Sequence, residues 1–585
     1  MSFRRRISGF VLVLAAAAPL GAQKIPVAEK TLSNGMHLLV VHRAGEATVA
    51  GGWVAHVGSS NERPGITGIS HLFEHMMFKG TPTIGTKDYG KDVAVIEEQE
   101  QVRDEMRQEE AKMRAAYRRG EIDDLLKPEN KTPRFRELEK KFDELIKKQR
   151  EVLVKNEFDR IYTTGGGSGM NAFTNQDMTG YFITVPSNKL ELWMWMESDR
   201  LFHPVFREFY AERDVVFEER RMRTESTPLG KFEESFDSLF WESHPYGWPV
   251  VGWPSDIPAI TKAQADAYYG TYYAPQNITL ILVGDVDVEK SARMAESYFG
   301  RIPRGRTAVP DVVTLEVPQP AEKRMYAEAE ANPQVEILWH TVPFGHVDSY
   351  PLQVLAQILS TRTGRLYKGL VLGSGVATDA FARQESRKWA GLFNAGGEAK
   401  EGRRPEEVEQ AIYAEIGKLQ KENVPAEELQ KVKNNFAAAE YRRLSSNFPV
   451  LIQLIQSDGR GNWREVNEAG AKIQAVTAAD VKRVANRYFT KENRAVAIYT
   501  RKAGAAGGGE DPDLAGLDDR GKQMVRQLSQ RLQTANDPEE LRQMLAGIES
   551  RAASSPPEMK SAIDVAKKKI QARIDELEKA KGKKG

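Results

Sequence analysis

Apolar and polar positions repeat along this chain in one distinctive order. From Thr261 a helical period runs to Tyr272-Tyr273, a turn follows at Asn277, and a β-branched run extends from Ile278 to Val283. The same order returns from Thr477 through Tyr488-Phe489 to Asn493, then Arg494 to Thr500. Thr261 aligns with Thr477, Tyr272 with Tyr488 and Asn277 with Asn493 without a gap. Each copy predicts a helix with Thr at its N-cap, a turn, and a strand. One shared pattern can arise by chance, but its ungapped register predicts a duplicated domain.

The duplication sets the boundaries. Residues 23–305 form a first domain and 322–501 a second, with 306–321 as a linker marked by Pro310, Pro318 and Pro320. Within the first domain, residues 91–157 stand apart. Val95, Val102, Met106 and Met113 recur at heptad-like spacing, and Phe135, Leu138, Phe142 and Leu145 do so after a break at Pro128. This pattern predicts an inserted antiparallel helical hairpin. Its charges are solvated faces, or else its tip or flank meets a partner or substrate. Residues 502–585 read as a Gly/Ala-rich linker and a helical extension, with Ile563, Ile570, Ile574 and Leu577 on one face.

Composition narrows the chemistry. Lys plus Arg number 83 against 82 Asp plus Glu, so no global field favours nucleic acid as a partner. Cysteine is absent, and any metal must be held by His and carboxylate. The N-terminus is basic at Arg4-Arg5-Arg6 and then apolar from Ile7 to Leu20, with small residues at Gly21 and Ala22. That reads as a signal peptide over residues 1–22 and predicts export to the periplasm or the exterior. An uncleaved anchor is the alternative. No later stretch reaches the ~20 apolar residues of a membrane span.

His71 and His75 lie four apart in a helix-compatible segment, so both imidazoles project from one face about a turn apart. That suits two ligands of one tetrahedral ion. Glu74, next to His75, can reach a water at that ion as general base without being a ligand. Two surface histidines at helical spacing would produce the same pattern without a function.

His71-Leu72-Phe73-Glu74-His75 is similar to the H-x-x-E-H signature of the inverted zincins, and its flanks Gly65 to Ser70 and Met76 to Thr81 resemble the pitrilysin/insulinase family. Asn171-Ala172-Phe173-Thr174, Glu212 to Glu219, and His244-Pro245-Tyr246-Gly247 resemble further blocks of that family, in order. The resemblance covers about residues 25 to 501 and implies an α+β fold. It implies two homologous sheet-plus-helix domains closing like a clam around a chamber. It also implies Zn2+ held by His71, His75 and Glu219, a supporting carboxylate at Glu212, and Glu74 as catalytic base. Asn171, Ala172 and Phe173 would lie on the edge strand that receives an extended peptide. The expected activity is a zinc metalloendopeptidase acting on peptides or unfolded segments.

One feature departs from the pattern. Active members carry an Arg and a nearby Tyr in the second domain, where this chain has Val371 or Leu372 and Thr378. Arg365 and Tyr367 lie close by, but at the wrong spacing. One explanation is a homologous zinc-free partner subunit that brings the pair, as a heterodimer rather than a homodimer. The other is an enzyme that manages without it. Silent relatives leave a non-catalytic, peptide-binding subunit as the rival class.

Overall fold

The computed structural model describes residues 24–502 apart from 126, and beyond 502 scattered positions between 517 and 535 and the helices Pro538–Ala552 and Pro557–Gly582. The signal-like residues 1–22 lie outside the described residues.

The first half opens with β1 (Val27–Thr31), β2 (His37–His42) and β3 (Thr48–Ala55), followed by α1 (Ile69–Met76). A hairpin of α2 (Tyr89–Arg118) and α3 (Pro133–Val152) leads into α4 (Glu157–Thr164). Then come β4 (Ser168–Thr174), β5 (Thr179–Pro186), α5 (Leu190–Phe202), α6 (Phe209–Arg220) and α7 (Gly230–Phe240). The half closes with α8 (Lys262–Tyr272), β6 (Ile278–Gly284) and α9 (Val288–Phe299). Its six strands run in the order β1-β2-β6-β3-β5-β4, with β2 and β6 parallel, and β4 at an edge.

The second half contains β7 (Lys323–Ala329), β8 (Gln334–Thr341), α10 (Ser349–Ser360), β9 (Ala377–Ser386) and β10 (Gly391–Ala399). Helices α11 (Pro405–Lys421), α12 (Ala426–Arg443), α13 (Asn447–Gly459), α14 (Glu465–Ala475) and α15 (Ala478–Tyr488) precede β11 (Arg494–Arg501). Its sheet order, β7-β11-β8-β10-β9, reproduces the first sheet without β1.

The repeated residues do the same work twice. Thr261 and Thr477 each form a capping box, with Gln264 and Asp480. The Asn277 amide donates to Tyr272 O at 2.8 Å, and the Asn493 amide to Tyr488 O at 2.8 Å. The chain is an α+β protein of two homologous sheet-and-helix halves.

Those halves exchange helices. In the first sheet, Leu38, Val40 and Leu280 face a core shared with α1, α5 and α9. The alternating residues Leu39, Val41, Ile281 and Val283 face Val450, Leu451, Leu454 and Ile455 on α13 of the second half. Conversely, Leu338, Ala495 and Ala497 of the second sheet pack against Phe236 and Phe240 on α7 of the first. Both faces of the central strands are therefore dry, which explains runs such as Leu38-Leu39-Val40-Val41. The sheet turns also meet: Asp177 accepts from the Tyr246 hydroxyl at 2.6 Å and from Lys388 N at 2.9 Å.

The hairpin is seated through Val95, Val102, Met106 and Met113 on α2 and Phe135, Leu138, Phe142 and Leu145 on α3, all buried. The C-terminal unit has its own small cluster, in which Ile570 and Ile574 pack with Leu541 and partly buried Leu577. No helix among the described residues is long and apolar enough to cross a membrane.

Candidate metal centre

The start of α1 is fixed from three sides. Gly68 and Gly252 both adopt left-handed backbone, φ +90° and +91°, and approach so closely that a Cβ on Gly68 would lie 2.4 Å from Val251 O. Buried Glu62 accepts from Gly68 N and Ser70 N, both at 2.8 Å, and satisfies amides that the first turn leaves open. Burial pushes the Glu62 carboxyl up to about 8. The Tyr181 hydroxyl donates to Phe73 O at 3.2 Å, tying the helix to β5.

On this helix His71 and His75 turn their Nε2 atoms toward one carboxylate oxygen, Glu219 Oε2 on α6, at 3.5 and 3.3 Å. One ligand atom from each of the three residues lies within 4.8 Å of the others. The second nitrogen of His75, Nδ1, is 3.0 Å from Glu212 Oε1. In the neutral ring that contact favours the proton on Nδ1 and leaves the Nε2 lone pair available, the arrangement metal-bound histidines favour. His71 Nδ1 is buried without a partner among the described residues. Arg223 lies 2.5 Å from Glu219 Oε1 and leaves Oε2 for the histidines.

The electrostatics fit a cation. Burial alone would lower the His75 pKa, yet hydrogen bonds to Glu212 and Glu219 outweigh it and hold the imidazolium up at about 9. Burial and the His75 charge push His71 down. The hydrogen bond from His75 holds Glu219 well below the usual carboxylate range. Two imidazoles and a carboxylate suit zinc and leave one coordination position for water or substrate. Burial raises the Glu74 carboxyl, partly offset by a hydrogen bond from Thr174.

Asn171 and Ala172 on β4 line a cavity together with Glu74 and His75. Phe173, their neighbour, packs near Phe182, with ring centroids 6.4 Å apart. Glu218 is exposed and pairs with Arg221 at 2.9 Å. In the second half, Leu372 is 68% exposed and Thr378 donates to Glu398 at 3.0 Å. Arg365 is taken by Glu428. Among the described residues none of these bonds to His71, Glu74, His75 or Glu219. Arg223 escaped the sequence reading, as did Lys79, which pairs with Glu212. Both are ordinary surface cations by sequence, and only the folded contact marks them.

Comparison with known proteins adds a family. Residues 38–118 match the profile described as "Insulinase (Peptidase family M16)", and residues 259–436 that of "Peptidase M16 inactive domain". Glu219 lies in neither span. The chain is 26% identical over 509 residues to "Zinc protease PqqE" of Helicobacter pylori, covering 84% of this chain and 97% of that protein. It is 22% identical over 348 residues to "Probable mitochondrial-processing peptidase subunit beta" of Arabidopsis thaliana, covering 56% and 64%. In fold it is similar to "a protease from Helicobacter pylori", with a TM-score of 0.66, 22% identity, and 82% of this chain against 100% of that one.

Proposed function

Because the chain belongs to the pitrilysin/insulinase family of peptidases, we propose that it is a zinc-dependent endopeptidase hydrolysing extended peptides or unfolded segments. The observation that carries this reading is the convergence of His71, His75 and Glu219 within 4.8 Å beside the carboxylate of Glu74. Zinc, when held there, polarises a carbonyl and makes water more acidic.

The chain's own residues supply the rest. Glu74, its carboxyl raised by burial, takes a proton from the attacking water and returns it to the leaving amine. Glu212 keeps His75 in the ligating tautomer, and Arg223 orients Glu219. β4 is an edge strand, and an extended peptide can add to its outer side as a further strand near Asn171 and Ala172.

The missing Arg and Tyr support a second part of the proposal, a homologous zinc-free partner that completes the site. A transition-state donor is worth ~3–4 kcal/mol, a loss that a lone chain would show as weak turnover. Full activity of the purified chain alone, at one zinc per chain, contradicts the partner. The basic and apolar start of the chain supports export, which N-terminal sequencing of the fractionated protein checks.

Glu74→Gln tests the peptidase itself. It should keep its zinc and lose peptide cleavage by ~100-fold or more. A wild-type chain that binds peptide but neither zinc nor cleavage would make it a non-catalytic subunit.

A further inference from the structure

Beside Glu74 and His75 lies a cavity of about 590 Å3. One wall is β4, through Asn171 and Ala172, and another is the first turns of α6. A third wall comes from the end of the hairpin that interrupts this half and the start of α4, including Arg150, Leu153, Lys155 and Phe158. Its position is fixed: Val154 N donates to Gly85 O at 3.0 Å, Lys87 N to Val152 O at 2.8 Å, and Gly85 N to Glu157 at 2.7 Å.

Backbone strain collects at the same place. Among the described residues, Asn156 and Glu208 are the non-glycine positions with positive φ, 52° and 53°. Both line this cavity, and they are the N-caps of α4 and α6. Asn tolerates that conformation, but Glu rarely adopts it. Its consequence is to direct the Glu208 carboxylate toward Lys79 at 3.8 Å and Arg150 at 4.0 Å.

The cavity is lined by four carboxylates and four Lys or Arg side chains, but their pairing is uneven. Glu212 is bound by His75 and Lys79, and Glu157 by Gly85 N and Arg160. Arg207 is spent on Asp92 and backbone carbonyls. Among the described residues Arg150 has only the long ionic contact to Glu208, and it keeps 53% of its side chain exposed. Lys155 is exposed, with no ionic partner among the described residues. The hairpin wall therefore presents two cations to whatever enters beside Glu74, above the apolar floor of Leu153 and Phe158.

We propose that the base of the inserted hairpin forms a specificity pocket, in which Arg150 and Lys155 receive an acidic substrate side chain near the scissile bond. Glu208 tempers that preference by partly neutralising Arg150. The inference rests on the peptidase reading for the place of the scissile bond. The hairpin thus acts through its base, where it adjoins the zinc ligands.

The test walks Glu, Gln or Lys through each position flanking the cleavage site of one unstructured peptide. The full-length zinc-loaded chain should favour Glu over Lys by about tenfold in kcat/KM at one position, the scale of two partly exposed charge pairs. R150E/K155E should invert that ranking without changing zinc content or Tm, and E208Q should sharpen it. K155E alone, on an exposed side chain, should weaken the preference if the double variant folds poorly. The same peptides, titrated against the E74Q chain by fluorescence anisotropy, give the ranking without turnover. No cleavage of any peptide would sink the peptidase reading, while the binding ranking still decides this one. A flat or Lys-favouring ranking, or one indifferent to charge reversal at 150 and 155, overturns the pocket.

Discussion

Asp92 and Arg207 form an ion pair whose side chains are 0% and 1% exposed. Arg207 also donates to Thr81 O at 2.6 Å and Ile84 O at 2.9 Å, in the loop that leaves α1. Asp92 also accepts from Gln149 at 3.0 Å, so the first turns of α2, the end of α3 and that loop share one buried network. Removing one partner strands the other charge in a dry site. Asp92→Ala should cost ~3–5 kcal/mol of stability. Urea denaturation checks this, and a loss under ~1 kcal/mol would show that the network relaxes or takes in water.

The carboxylate behind His75 makes a separate prediction. Glu212→Gln keeps the shape but loses the charge that orients and polarises the imidazole. Zinc affinity should fall ~10–100-fold, with near-native stability, in a competitive chelator titration. Unchanged affinity would mean that Glu212 serves Lys79 alone.

The metal-free site should titrate in a defined window. His75 is held at about 9 in the folded chain, above its ordinary ~6.5. A raised histidine pKa contributes stability that is complete below ~6.5 and lost as pH rises through about 9. His71, pushed down by burial, is neutral in the folded chain throughout that window, and its unfolded form loses its proton near ~6.5, so it adds only a small opposing slope at the low end. Metal-free protein should therefore lose on the order of 2 kcal/mol between those limits. Zinc-loaded protein should not, because a ligating imidazole carries no such proton. Thermal melts across pH, with and without chelator, measure the difference.

The exchange of helices between halves predicts an effect at a distance in sequence. Leu454 belongs to the second half but is fully buried against the first sheet, among Leu39, Val54 and Ile281. Leu454→Ala should cost ~2–5 kcal/mol. Hydrogen exchange should speed in β2, β3 and β6 before β8 and β10. Faster exchange confined to the second sheet would contradict the exchanged packing.

Much of this architecture was legible because it rests on short-range periodicity. Thr261 and Thr477 announce their caps, Val95 to Met113 and Phe135 to Leu145 announce the hairpin, and His71 and His75 share a face through their spacing. What stayed hidden depends on long-range choice. The apolar face of α13 is visible in sequence, but nothing local says that it covers the sheet of the other half. Asp92, Glu208 and Arg223 read as solvated charges until the fold brings them to Arg207, Lys79 and Glu219. The second-half stretch 370–378 gave no donor by sequence, and in the fold Thr378 is spent on Glu398.

In the proposed enzyme His71, His75 and Glu219 hold one zinc ion. Elemental analysis of the purified full-length chain, beside Glu219→Ala and His71→Ala, tests it most directly. About one zinc per wild-type chain is expected, with loss of most of it in both variants. A wild-type chain without zinc, or variants that retain a full equivalent, would contradict it.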